Sequence, residues 1–336
     1  MPFEIVRNDI AHMHVDAIVN TANPDPVVGS GVDRGIHQRA GKKLLDARRQ
    51  IGHINPGDAA ITPGFDLAAE FVIHTVGPVW KDGNHGEEEI LSSCYRKSLA
   101  LAKDNGCMSI AFPLISTGNY GFPKSLALKT AVSEISAFVL ENEMQIYLVV
   151  FEKESFALSG KLVKSVSSYI DENYIRDKMT DEYEGSDRRR INRHEPEIKS
   201  CICMSPESML IDTDDIGQLI DHLDAGFSET LLKLIDHTGK KDSEIYKKAN
   251  VDRKLFSKIR NNMDYKPSKS TALAFAFALE LDIDQTRDFI GKAGFALSRS
   301  SKFDVIVEYF LVNKNYDIFE LNEVLFEFDQ PLIGAM

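Results

Sequence analysis

The chain has 336 residues, enough for two domains of ordinary size, and its 43% hydrophobic content is that of a globular protein. A formal net charge of −12 argues against broad, nonspecific affinity for nucleic acid but leaves room for a local basic surface. No apolar run is long enough to span a bilayer, the segment Met1–Arg7 lacks the features of a signal peptide, and Cys94, Cys107, Cys201 and Cys203 have neither disulfide-framework nor zinc spacing, so a cytoplasmic protein with free thiols is expected.

Strand-like runs alternate with helical patterns through about residue 175, which predicts a three-layer α/β domain over residues 1–175. Phe3–Val6 reads as the first strand and Ala17–Val19 as the end of a buried second one. Two carboxamides, Asn20 and Asn23, follow at the carboxyl end of that second strand. The loop Gly29-Ser30-Gly31-Val32-Asp33 then leads into a helix expected over Asp33–Arg49. Free N–H groups at a glycine loop and a helix N-terminus attract anions, so this arrangement suits a phosphate-bearing ligand. Asp33 also fits the N-cap of that helix, and Asn23-Pro24 is an ordinary turn signal.

Strands are next expected at Ala59–Thr62 and Phe71–Thr75, where His74 reads as a strand-end structural residue, followed by a helix at Glu87–Asn105. The strand Ser109–Leu114 runs into Ser116-Thr117-Gly118-Asn119-Tyr120-Gly121. Hydroxyls and N–H groups there can satisfy phosphate oxygens, and Tyr120 offers a ring wall for a sugar. A helix over Lys124–Glu141, a strand over Gln145–Phe151 and a closing helix at Lys161–Asn173 complete the unit. Tyr147–Val150 is continuously apolar, as in a strand covered on both faces. Two such loops, both at carboxyl ends of strands in one domain, favour a pyrophosphate-bearing ligand over two unrelated turns.

Residues 176–226 are polar and mixed in charge, ending in an acidic segment with Ile216, Leu219, Ile220 and Leu223 at helical spacing; they are expected to be a linker. From Phe227 the pattern is helical, predicting an all-α domain over 227–336. Its helices are expected at Thr230–Thr238, Ser243–Ala249, Arg253–Asn261, Ser270–Leu281, Asp284–Ala293, Phe303–Leu311 and Ile318–Phe326, with Asp252 and Ser268 as N-caps.

Residues 1 to about 175 resemble a macrodomain. The matching motifs are Asn8-Asp9-Ile10, Asn20-Thr21-Ala22-Asn23, Gly29-Ser30-Gly31-Val32-Asp33, Ile36-His37, His74-Thr75-Val76-Gly77-Pro78 and Ile115 to Gly121. The resemblance implies an α/β/α fold with a mixed central sheet, and the Asn23–Asp33 spacing fits the MacroD-type branch best. Members of that branch hydrolyse mono-ADP-ribose from acidic side chains and deacetylate O-acetyl-ADP-ribose, with no metal or cofactor. By the resemblance, Asp9 and the Ile10 backbone hold the adenine and Phe151 stacks near it. Gly31, Val32 and the loop of Ser116, Thr117, Gly118, Asn119, Tyr120 and Gly121 cradle the pyrophosphate. Asn23, Asp33 and Tyr120 surround the distal ribose, with Asn23 and Asp33 catalytic, Asn20 bracing the loop and His37 behind it. The departures are Asn8 where glycine is usual, Thr21 where alanine is common, and fewer glycines before Gly31. None removes a side chain assigned to catalysis.

About residues 228–297 resemble a phage-repressor-like helix-turn-helix. In that reading Arg253–Asn261 is the recognition helix, with Arg253, Lys254, Lys258 and Arg260 available to DNA. The competing reading is a helical bundle for protein contacts. The rival to a hydrolase is a non-catalytic ADP-ribose sensor whose helical domain binds DNA or a protein partner. Neither reading involves a membrane.

Overall fold

The computed structural model describes residues 3–150, 165–170 and 225–334. Phe151, residues 171–224 and both Cys201 and Cys203 lie outside the described residues, as does most of the expected closing helix; its residues 165–170 are helical.

Among the described residues, six strands form one sheet in the order β1-β6-β5-β2-β4-β3. They are β1 (Phe3–Arg7), β2 (Ala17–Thr21), β3 (Ala59–Pro63), β4 (Phe71–Thr75), β5 (Ser109–Pro113) and β6 (Gln145–Val150). All neighbours pair in parallel except β3, which runs antiparallel to β4, so the sheet is mixed. Alternation along the strands sends Val19, Ile73, Phe112 and Leu148 to one face and Ile18, Val72, Ala111 and Val149 to the other. The second face is covered by α1 (Gly31–Ala40) and α2 (Lys42–Ile51) through Ile36, Ala40 and Leu44. The first is covered by α3 (Glu87–Asp104) and α4 (Lys124–Glu141) through Leu91, Leu99, Leu128 and Ile135. This gives the three layers expected. The single helix expected over Asp33–Arg49 is instead two helices, because Gly41 takes φ 77°, which a right-handed helix cannot continue through.

The C-terminal helices are α5 (Phe227–Thr238), α6 (Asp242–Lys248), α7 (Arg253–Asn261), α8 (Lys269–Ala278), α9 (Ile283–Gly291), α10 (Lys302–Val312) and α11 (Ile318–Glu327). Asp252 and Ser268 cap α7 and α8 by accepting from the N–H groups of Lys254 and Thr271. Thr271 through Ala278 are all buried, so α8 forms the centre of this bundle.

The bundle packs against the sheet's β1 edge, and its core is continuous with that of the first face. Asn250, in the α6–α7 turn, donates to the Phe3 carbonyl at 2.9 Å and accepts from the Phe3 N–H at 2.7 Å. Phe3 meets Phe319 of α11 at 5.9 Å between ring centroids, while Arg7 pairs with Asp329 at 2.8 Å and lies 5.0 Å from the Phe326 ring centroid. Helix α11 therefore runs alongside the edge strand in the same direction. A side-chain amide and a helix occupy the place where another strand could add.

Candidate functional site

The parallel strands end at two adjoining cavities of about 390 and 600 Å³. Gly31, Val32, Leu114 and Thr117 line both, which makes them one cleft over the carboxyl ends of β1, β2, β5 and β6. The smaller part is walled by Asn8, Asp9, Ile10, Val149 and Val150, and the larger by Asn23, Asp33, Gly77 and the run Ser116–Tyr120. Of the residues singled out from sequence, Asp9, Ile10, Asn23, Gly31, Val32, Asp33, Ser116, Thr117, Gly118, Asn119 and Tyr120 thus line one cleft. Gly121 follows Tyr120 at φ 67°, its N–H bonded to the Gly118 carbonyl at 2.9 Å. Asn20 is fully buried behind the wall.

Asp9 caps a 3₁₀ turn, its Oδ1 accepting from the Ala11 N–H at 2.9 Å, and its Oδ2 lies 3.2 Å from His12 Nδ1. The two loops are tied across the cleft by Asn119 Nδ2, which donates to Ser30 Oγ at 2.7 Å. Helix α1 begins at Gly31, with φ +57°, so its first N–H groups face the junction of the two cavities. Ser116 is a non-glycine residue at φ 64°, its hydroxyl buried and without a partner among the described residues. A side chain at Gly77 would meet that hydroxyl at 2.0 Å, so glycine there is a requirement of close approach.

Asp33 is not the N-cap that its sequence position also allowed: the helix starts two residues earlier, with Ser30 at the cap position, and Asp33 lies within the first turn. Its carboxylate is 3% exposed and held from both sides. Oδ2 accepts from the Gly29 N–H at 2.5 Å and Oδ1 from Asn20 Nδ2 at 2.6 Å. Each carboxylate oxygen has a second lone-pair direction, so acceptor capacity remains for a water or a ligand hydroxyl. A Cβ at Gly29 would press on both Asn23 Nδ2 (2.9 Å) and Asp33 Oδ2 (3.3 Å), so glycine keeps these two groups close. Asn23 Nδ2 donates to the Val27 carbonyl at 3.1 Å, and its Oδ1 lies 3.5 Å from the Tyr120 hydroxyl. Burial and the charge of Asp33 raise the Tyr120 pKa, which keeps the phenol neutral.

Two further residues, unremarked as site residues from sequence, complete the support. Asn20 Nδ2 also lies 3.2 Å from His74 Nδ1, and His74 Nε2 lies 3.0 Å from Thr62 Oγ1. An amide nitrogen can only donate, so His74 Nδ1 accepts and its proton sits on Nε2, directed at Thr62. Burial, with Arg48 and His37 adding to it, lowers the His74 pKa to about 3, consistent with that neutral tautomer. Arg48, 2% exposed, donates to the carbonyls of Asn23 (3.1 Å), Pro24 (2.9 Å) and Gly52. It fixes the loop that carries Asn23. His37, 3.6 Å from Asp33, is kept mainly neutral by burial, against the pull of the carboxylate.

A family model described as Macro domain matches residues 19–131. A Macro domain-containing protein of Methanosarcina mazei is 50% identical over 153 residues, 45% of this chain and 82% of that protein. An O-acetyl-ADP-ribose deacetylase of Escherichia fergusonii is 46% identical over 165 residues, 47% of this chain and 93% of that protein. The solved Oceanobacillus iheyensis macrodomain with ADP is 39% identical, matching 45% of this chain and 84% of that one at a TM-score of 0.44. With identity at this level across most of the length of these relatives, the chain belongs to the macrodomain family.

Proposed function

We propose that the cleft binds ADP-ribose and that the protein is an ADP-ribosyl hydrolase, releasing mono-ADP-ribose from acidic side chains or acetate from O-acetyl-ADP-ribose. In this reading residues 1–175 form the catalytic domain, 176–226 the connection and 227–336 a module that contacts DNA or a protein. The observation that carries the reading is the buried Asp33 carboxylate, held by Asn20 and Gly29 at the wall shared with Asn23 and Tyr120. Its support from relatives is the similarity to proteins named O-acetyl-ADP-ribose deacetylase.

The chemistry follows from that placement. The adenine lies in the smaller cavity against Asp9 and Ile10. The pyrophosphate sits over the N–H groups of Gly31 and Val32 and the loop from Ser116 to Gly121. The distal ribose then reaches Asn23, Asp33 and Tyr120. Asp33 orients a water and offsets positive charge developing on the sugar, while the Asn23 amide fixes a ribose hydroxyl. Water adds across the ester: its hydroxyl goes to the ribose or acyl carbon, and its proton leaves with the oxygen of the departing group.

The test is release of ADP-ribose from a glutamate-modified protein. Wild type is expected to turn over, and Asp33→Ala to lose about 10²-fold or more in kcat, as when a positioned acid–base group is removed, while still binding ADP-ribose. Binding without release by the wild type would make the protein a sensor instead.

A further inference from the structure

The chain's single tryptophan, Trp80, lines neither part of the cleft. It belongs to the segment between β4 and α3, which meets the loop Ser116–Gly121 at two points. At the first, Gly77 leaves room for the Ser116 hydroxyl. At the second, the Trp80 N–H donates to the Tyr120 carbonyl at 2.8 Å, and the indole meets the Phe122 ring edge-on, with centroids 4.7 Å apart and planes at 67°. Phe122 is buried and closes the loop, its own N–H donating to the Ser116 carbonyl at 3.0 Å.

Trp80 is itself held in place. Glu87, buried at the start of α3, accepts from the N–H groups of Lys81 at 3.3 Å, Gly83 at 3.4 Å and His85 at 2.7 Å, so residues 81–85 wrap one carboxylate. Gly83, at φ 86°, lies against the far edge of the indole: a Cβ there would come within 2.9 Å of Cη2. The ring is thus fixed between Gly83 and Phe122.

Tyr120 needs such a support. Its hydroxyl is 3.5 Å from Asn23 Oδ1, the outer limit of a hydrogen bond, so that contact does little to fix the side chain. We propose that Trp80 is a positioning residue for the distal-ribose end of the cleft: seated on Phe122, it holds the Tyr120 carbonyl and so aims the Tyr120 ring toward Asn23. The inference rests on the reading that this cleft binds ADP-ribose. Trp80 then acts on recognition of the sugar and the group attached to it. The adenine end, walled by Asp9, Ile10 and Val149, is left untouched.

Calorimetric titration of the full chain with ADP and with ADP-ribose isolates the distal ribose, which ADP lacks. Wild type is expected to bind ADP-ribose more tightly than ADP. Trp80→Ala keeps the backbone N–H but removes the ring that seats it. Its preference for ADP-ribose should fall about 3-fold or more, while its ADP affinity stays within about twofold of wild type. In the release assay its kcat should fall about 10-fold or more. Trp80→Phe, which retains an aromatic edge for Phe122, should recover most of the preference. Asn250→Ala, which weakens the fold at the start of β1, should lower the melting temperature and keep the full preference. An undiminished preference in Trp80→Ala, or an equal loss in Asn250→Ala, would overturn the inference. So would a Trp80→Phe variant that melts like wild type yet loses as much as Trp80→Ala. Failure of wild type to bind either nucleotide would instead overturn the reading of the cleft. The binding test needs no turnover, so absence of ADP-ribose release overturns the hydrolase reading alone.

Discussion

Asn20 shows how much of this cleft depends on residues that never face it. Its two N–H groups go to Asp33 and His74, and the His74 proton goes on to Thr62. The carboxylate is therefore aimed by a chain of hydrogen bonds running back through three strands. His74→Leu removes the acceptor for one Asn20 N–H, leaving that donor unsatisfied at a cost of about 1–3 kcal/mol. The expected result is a lower melting temperature together with a kcat reduced about 10-fold or more, while the Kd for ADP-ribose stays within about twofold. A purely structural role would move stability alone. Asn20, Asn23 and Asp33 were legible in the sequence because polar groups at the end of an apolar strand stand out. The sequence marks His74 as part of a matching motif and a strand-end structural residue but gives it no link to Asn20, and it gives Arg48 no role, because both roles depend on distant pairings. His74 lies 54 residues from Asn20 and becomes its neighbour because β2 and β4 pair in the register Asn20↔His74. Arg48 reaches the Asn23 carbonyl from the last turn of α2.

At the scale of elements, periodicity located the strands and long helices because each buries a regular face. The break between α1 and α2 was written in Gly41, but only its left-handed backbone shows that the helix stops there. The edge of the sheet was not legible, since nothing local marks Asn250 as a partner of Phe3. Yet Asn250 is 2% exposed and supplies both hydrogen bonds to an edge-strand residue. Asn250→Ala leaves a buried N–H and C=O of Phe3 unpaired, and about 2–4 kcal/mol of stability should be lost, read as a lower urea midpoint. Asn250→Gly keeps the positive φ easily but also loses the amide. It should therefore be destabilised as well, which separates the hydrogen bonds from backbone strain.

At the scale of the whole molecule, the two halves share a core but leave a cavity of about 650 Å³ between α4 and α11. Glu323 lines it and is 9% exposed; burial first, then Glu320 and Asp317, raises its pKa to about 8. Lys129 of α4 lines the same cavity. Because the folded pKa exceeds the ordinary 4.5, this group's contribution is intact below about pH 4.5 and is lost as pH rises toward 8. Glu323→Gln should therefore match wild type near pH 4 and exceed it near pH 7 by on the order of 3 kcal/mol in urea denaturation. The contact of α11 with β1 has a consequence in time. β1 is the first described element to leave the ribosome and α11 the last, so the sheet is synthesised with one edge uncovered. Closing that edge joins residues more than 300 positions apart, as Arg7 and Asp329 are. Loop closure of this length is slow relative to local folding, so the final helix seals a sheet that has already formed. Until then the β1 edge of the nascent chain is covered only where the earlier bundle segments reach it, as Asn250 does at Phe3.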